Sequence, residues 1–246
     1  AVSSNGVRAI YSDENSAYSY CLAIASDTVY LLGNGIRSTP IGTLRTAGGF
    51  VGITSSTSQV LIVDGAGGYV YDIAARSLTR IDDDNFPSSP LDCVFFNGYF
   101  YVCEAGSNQW FFSDPGNALS WPDENGIVLN AKADTFKGIA ATNNSLFIIG
   151  NYITEIWYSQ AQGTVPVSYN NTMLFEVGCA ATGSIAEGPR DEKGILVWLG
   201  GDKDGVGSIY MTSGSEPKKI STQAIDLVLR GLTVVSDAIG YIYKEA

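Results

Sequence analysis

The side chains left to run a reaction in this chain are its carboxylates, Tyr and Lys, because the sequence has no histidine. Without imidazole there is no Ser–His–Asp or Cys–His nucleophile, no HExxH zinc site, and no ordinary general base at neutral pH. Of these, a carboxylate pair could hydrolyse a glycosidic bond. The candidates are Asp82-Asp83-Asp84, Asp123-Glu124, Glu155 and Glu176. The first two groups stand beside Asn, Pro or Gly and read as turn or outer-loop residues. Glu155 lies inside "ITEIWY", where strand alternation sets it opposite Ile156. A solvated role, or a hydrogen bond between sheets, is the simpler reading of it. A sialidase-type site would add an arginine cluster. Arg8, Arg37, Arg45, Arg76, Arg80, Arg190 and Arg230 are scattered, and no Asp-box pattern occurs.

Other motifs reduce to turns. "GGDKDGVG" from Gly200 has a D-x-D-G core, but a calcium loop needs a further oxygen ligand and a bidentate Glu. Position 206 is Val, and the next Glu is Glu216, so a hairpin turn of Asp and Gly is expected. "GAGG" at Gly65 to Gly68 is followed by neither GK[ST] nor a Rossmann unit. Cys21, Cys93, Cys103 and Cys179 have no metal spacing. Cys93 and Cys103 could lie on neighbouring strands within disulfide range, but free thiols acting as small core hydrophobes are the expectation. Trp110, Trp157 and Trp198 fall on apolar strands and read as packing residues. Trp121, in "LSWPDENG", is set apart as a possible partner contact in an outer loop. No catalytic, metal or cofactor-binding residue is assigned, and no cofactor is called for.

The elements that would position these residues recur. The chain of 246 residues is 45% apolar, 11% aromatic and 16% charged, with 28 Gly. Aromatic and β-branched runs divided by glycine-rich turns indicate an all-β protein. Five units of strand, strand, turn, strand, strand can be laid along it, with central turns at Gly65, Gly106, Gly150 and about Asp202. A period of 40 to 50 residues with four short strands is the sequence signature of a β-propeller blade. A sandwich or single barrel predicts no such regularity. The blades run about 1–44, 45–82, 83–131, 132–177 and 178–222, with a partial blade at 223–246, in a single propeller domain over 1–246. First strands such as "FVGITSS", "FKGIAAT" and "ATGSIAE" are small and glycine-bearing, as crowding near an axis demands, while middle strands carry the bulky residues.

The last segment breaks the rhythm. "ISTQAIDLVLRGL" places Ile225, Val228, Leu229 and Leu232 at a spacing that suits a short amphipathic helix or turn. "TVVSDAIGYIYKEA" then reads as an inner strand and a second strand that stop, so the chain is expected to be a fragment of a longer propeller. The opening "AVSSNGVRAI" has no initiating Met or leader and agrees with that expectation. No apolar run reaches the ~18 residues a bilayer span needs, so no membrane partner is expected. The net charge of −11, with 25 acidic against 14 basic residues, disfavours binding to a phosphate backbone. Sequence-specific nucleic-acid binding is therefore not expected.

Six phrases occur in register: "GGYVYD" (Gly67–Asp72), "NGYFYV" (Asn97–Val102), "TEIWY" (Thr154–Tyr158), "GCAATGSIAE" (Gly178–Glu187), "WLGGDKDGVGSIY" (Trp198–Tyr210) and "ISTQAID" (Ile220–Asp226). Together they resemble the packaged-DNA stabilisation proteins, or tail hubs, of short-tailed phages of enteric bacteria. The likeness extends over essentially the whole chain, with "GCAATGSIA" its most distinctive part. It implies a structural virion protein and not an enzyme, a homohexameric ring below the portal and its head-completion adaptor. It also implies that the ring helps close the channel after packaging and supports the tail needle and tailspikes. A carbohydrate-active or carbohydrate-binding propeller is the alternative reading. If the ring lines the channel, its acidity would keep it from gripping DNA that shares its charge.

Overall fold

The computed structural model describes residues 6–12, 20–33, 38–123, 126–128, 134–142, 144–160, 163, 165–188, 194–202, 205–214 and 216–243. Within them the chain folds into five antiparallel sheets. The first holds β1 (Val7–Ser12), β2 (Cys21–Ala25), β3 (Thr28–Leu32) and β4 (Ser38–Thr43). The second holds β5 (Gly52–Ser55), β6 (Gln59–Val63), β7 (Gly68–Asp72) and β8 (Ser77–Arg80). β9 (Pro90–Phe96), β10 (Tyr99–Glu104), β11 (Gln109–Phe112) and β12 (Ile127–Val128) form the third. β13 (Phe136–Ala141), β14 (Ser145–Gly150), β15 (Thr154–Ser159) and β16 (Val167–Phe175) form the fourth. Each pairs its strands in chain order, so consecutive hairpins make a meander.

The fifth sheet departs from the expected four strands. Its first strand is split into β17 (Gly178–Cys179) and β18 (Ala186–Glu187), both paired with β19 (Leu196–Asp202); β20 (Gly205–Thr212) and β21 (Lys218–Lys219) follow. Between the halves lies a 3-10 turn, Thr182–Ser184. Ser184 explains the break: its hydroxyl donates to the Ala181 carbonyl at 2.7 Å and accepts the Leu199 amide at 3.1 Å. A side chain thus takes the ladder position that a continuous strand would have filled.

The chain divides into two compact units, residues 1–105 with 110–126, and residues 106–109 with 127–246. In the first unit, β6 shows why the sheet needed neighbours. Val60 and Ile62 pack in one core with Leu22, Ile24 and Val29 of the first sheet. Leu61 and Val63 point the other way, into a core with Phe100 and Val102 of the third. Alternation sends successive side chains to opposite faces, and both faces are buried, hence the unbroken apolar run "VLIV". In the second unit Phe147, Ile149 and Ile156 of the fourth sheet pack against Leu196 and Trp198 of the fifth.

Small first strands have a visible cause. A Cβ on Gly52 would meet Asp92 Oδ1 at 2.9 Å and the Asp92 backbone at 3.2 Å, so glycine lets β5 lie close to β9. A Cβ on Gly178 would overlap the backbone of Asn151 and Tyr152. In both places the neighbouring sheet occupies the space of a side chain.

The segment after β21 meets one expectation and corrects another. The helix forms as α1 (Gln223–Arg230), capped by Thr222, whose side chain accepts the Ile225 amide. Most of its apolar residues do not face inward: Ile225, Val228 and Leu232 are exposed, Leu229 is half-buried, and Asp226, 4% exposed, is the residue that is buried. Asp226 is drawn in by donors on the sheet side, an ion pair from Lys219 and the Ser221 hydroxyl at 2.5 Å. Residues 231–243 form no strand, although two were expected there. Ile239 and Tyr241 stand in solvent, and Gly240 N–H donates to the Gly183 carbonyl of the 3-10 turn at 2.9 Å. Alternation alone does not make a strand; its amides also need a ladder to pair with.

Candidate functional site

The candidate carboxylates land in three different settings. Asp83 accepts the Asn85 amide at 2.9 Å through Oδ1 and the Trp121 amide at 2.9 Å through Oδ2. Asn85 Nδ2 in turn donates to the Trp121 carbonyl at 3.0 Å and to Asp123 Oδ1 at 2.7 Å. Asp83 and Asp123 are therefore brought together, but as the two ends of a clasp across Asn85 that fixes the loop holding Trp121. Glu155 is fully buried on β15, not solvated, and accepts the indole N–H of Trp157, two residues on in the same strand, at 3.2 Å. Glu176 is exposed beyond β16. Arg37, Arg190, Glu124, Lys203 and Asp204 lie outside the described residues.

Trp121 itself is a correction. It is 2% exposed, packed edge-on to Phe86 with ring centroids 4.9 Å apart, and its indole N–H donates to the Ala118 carbonyl at 2.9 Å. The loop carrying it folds back over the third sheet, so this tryptophan is core and not an outward contact. Cys93 and Cys103 do lie on paired strands, with Cys93 opposite Val102 and Cys103 opposite Asp92. All four cysteines are free, and burial pushes the Cys103 thiol well above its ordinary value.

A recurring polar device at the sheet ends went unread in the sequence. In an antiparallel meander the loop entering the first strand and the turn between the second and third strands share one end. In the second sheet, Asp64 of the β6–β7 turn reaches that loop. Its Oδ2 accepts the Thr46 amide at 2.8 Å, and its Oδ1 accepts the Ala66 amide at 3.1 Å. Arg8 of β1 adds donors to the same loop, at 2.7 Å to the Thr46 carbonyl and 2.7 Å to the Gly48 carbonyl. Burial holds the Arg8 guanidinium below its ordinary value, with Asp64 and Asp27 pulling the other way.

The fourth sheet makes the same tie with the acid on the other loop. Asp134, ahead of β13, accepts Thr135 N–H at 2.8 Å and Asn151 Nδ2 at 3.3 Å through Oδ1. Its Oδ2 accepts Tyr152 N–H at 2.8 Å and Ile153 N–H at 3.2 Å. Beside it opens a polar cavity of about 560 Å³, lined by Ser107, Asn108, Thr135, Asn151 and the exposed Tyr152 among others. The available signal was an acid next to a sheet-end turn, as in Val63-Asp64-Gly65. The acid changes loops between sheets, so it does not repeat at a fixed position.

These sites hold loops; they do not converge acids on a reacting bond. Among the described residues no group of three or more His, Cys, Asp or Glu is placed to hold a metal ion. Comparison with known families decides the assignment. Residues 15–239 match the family model described as Bacteriophage P22 Gp10, beta-propeller, a phage stabilisation family. The chain belongs to that family. The fold expected from the repeated hairpins, an all-β propeller, is the fold of this phage-stabilisation family, whose role is structural and tied to DNA stabilisation. No curated protein sequence matches the chain. Among solved structures, the extracellular domain of the putative one component system BT4673 from B. thetaiotaomicron is similar in fold. The TM-score is 0.62 at 12% identity, over 97% of this chain and 30% of that one. The phage-stabilisation chain thus spans less than a third of that protein.

Proposed function

We propose that this phage-stabilisation chain is part of a tail hub that helps close the portal channel and retain packaged DNA. In this reading it works through protein–protein interfaces, docking the head-completion adaptor, tail needle and tailspikes as a homo-oligomeric ring in the virion, and it is not an enzyme. The family match over residues 15–239 is the observation that carries the reading. The structure supports it in kind: sheets that share their buried faces, with end loops tied by Asp64 and Asp134, make a scaffold for presenting loops to partners. Electron-microscope imaging of virions with the chain labelled tests it. Density in a ring beneath the portal is the expected result, together with co-purification with the adaptor. Label absent from the tail would end the proposal.

A further inference from the structure

Between β4 of the first sheet and the β7–β8 hairpin of the second lies a groove of about 340 Å³, inside the first compact unit. At its floor Gly42 lets Leu78 lie directly against β4: a Cβ there would meet Leu78 Cδ2 at 2.7 Å. Leu78 and the buried Leu44 line it with apolar surface. Its polar side chains are Arg45, Arg80, Thr43 and Tyr69, and no carboxylate lines it.

Arg80 and Tyr69 are paired residues of neighbouring antiparallel strands, so their side chains share a face about 5 Å apart at Cβ. The Arg45 amide donates to the Tyr69 hydroxyl at 2.6 Å, which brings Arg45 to the same phenol from the other side. Arg45 spends one N–H on the Ala66 carbonyl at 3.1 Å and keeps the rest of its fork. Both arginines are exposed at the rim, and neither is in an ion pair among the described residues. Asp64 lies near enough to act on Tyr69, but its oxygens accept from Thr46 and Ala66. Burial raises the Tyr69 phenol above its ordinary value, and Arg80 and Arg45 both oppose that rise, as charges close to one oxygen do. In a chain of net charge −11, two exposed guanidinium forks at one groove with no carboxylate among its lining side chains offer paired donors to an anion.

We propose that this groove docks a carboxylate-bearing segment of a partner protein, an acidic loop or chain end, gripped by Arg45 and Arg80 with its backbone over Leu78. Duplex DNA is disfavoured as the occupant. It carries about one charge per 1.7 Å of axis, and the acidic surface would repel it beyond these two contacts. The inference deepens the hub reading and rests on it only for the partner being a protein.

The test is fluorescence anisotropy at low ionic strength, where exposed charges are least screened. The probe is a fluorescein-labelled peptide of alternating Asp and Gly, with its Asn–Gly counterpart as control. Wild-type chain is expected to bind the Asp peptide at least about tenfold more tightly than the Asn peptide, and Arg80→Gln to lose that preference. Arg80→Gln alters an exposed side chain, so thermal unfolding at the wild-type temperature accompanies the result; Arg45→Gln is the second variant. Equal binding of the two peptides, or an unchanged preference in folded Arg80→Gln, overturns the proposal. So does a duplex oligonucleotide that binds more tightly than the Asp peptide and needs Arg80, because it would give the groove to phosphate. If virion imaging fails while the peptide result holds, the hub reading falls and the groove stands.

Discussion

Asp134 shows how much one carboxylate can organise. Its two oxygens take three backbone N–H groups and the Asn151 amide, and Gly150 leaves room for it because a Cβ there would overlap the carboxylate. Asp134→Ala strands those donors at a nearly buried site. It is expected to cost about 3 kcal/mol, read as a lower denaturant midpoint, with Asp134→Asn recovering part of the loss. Trp121→Ala tests the other residue-scale finding. Emptying the space beside Phe86 is expected to destabilise the chain by about 3 to 5 kcal/mol. A surface contact would have cost almost nothing, so chemical denaturation separates the two cases.

At the scale of elements, α1 is the part whose attachment depends on charge. The Lys219 ammonium, then the Ser221 hydroxyl, hold the Asp226 carboxyl below its ordinary value of 3.8, against the opposing effect of burial. A depressed carboxylate stabilises the docked helix fully above that ordinary value, and the contribution fades as the pH falls through the lower, folded one. Amide hydrogen exchange at Leu227 to Leu229 is therefore expected to quicken on acidification below about pH 4, while β6 amides stay protected. Asp226→Asn should give the fast exchange already at neutral pH. Leu227, at 64%, and Val228, at 66%, stay exposed, so the Asp226 contact carries much of what seats the helix, beside the half-buried Leu229.

Over the whole molecule the charge of −11 acts against DNA, so in the hub reading an acidic lining leaves the exiting genome free to slide. Replacing channel-facing Asp and Glu with Lys is expected to slow DNA release from virions. Ejection kinetics that do not change would count against an acidic, non-gripping channel. The stability of each unit comes from sheets sharing their faces, as β6 does with Val60 and Ile62 on one side and Leu61 and Val63 on the other. No sheet here is a free-standing element.

Periodicity, glycine placement and hairpin turns were enough for the sheets, because a strand buried on both faces writes an unbroken apolar run and a tight turn writes its glycine. "FVGITSS" contains β5, and "FKGIAAT" is β13 to within one residue. The polar ties were less legible. Asp64 and Asp134 make the same connection from opposite loops, and only the folded sheet end brings either acid to its amides. Likewise "TVVSDAIGYIY" has the alternation of strands but no ladder to join, and α1 has helical spacing yet turns Asp226 inward. Local pattern fixes which backbone shapes are favourable. Which side of an element is covered, and which donors meet which acids, depends on neighbours distant in sequence, and so belonged to the tertiary structure alone.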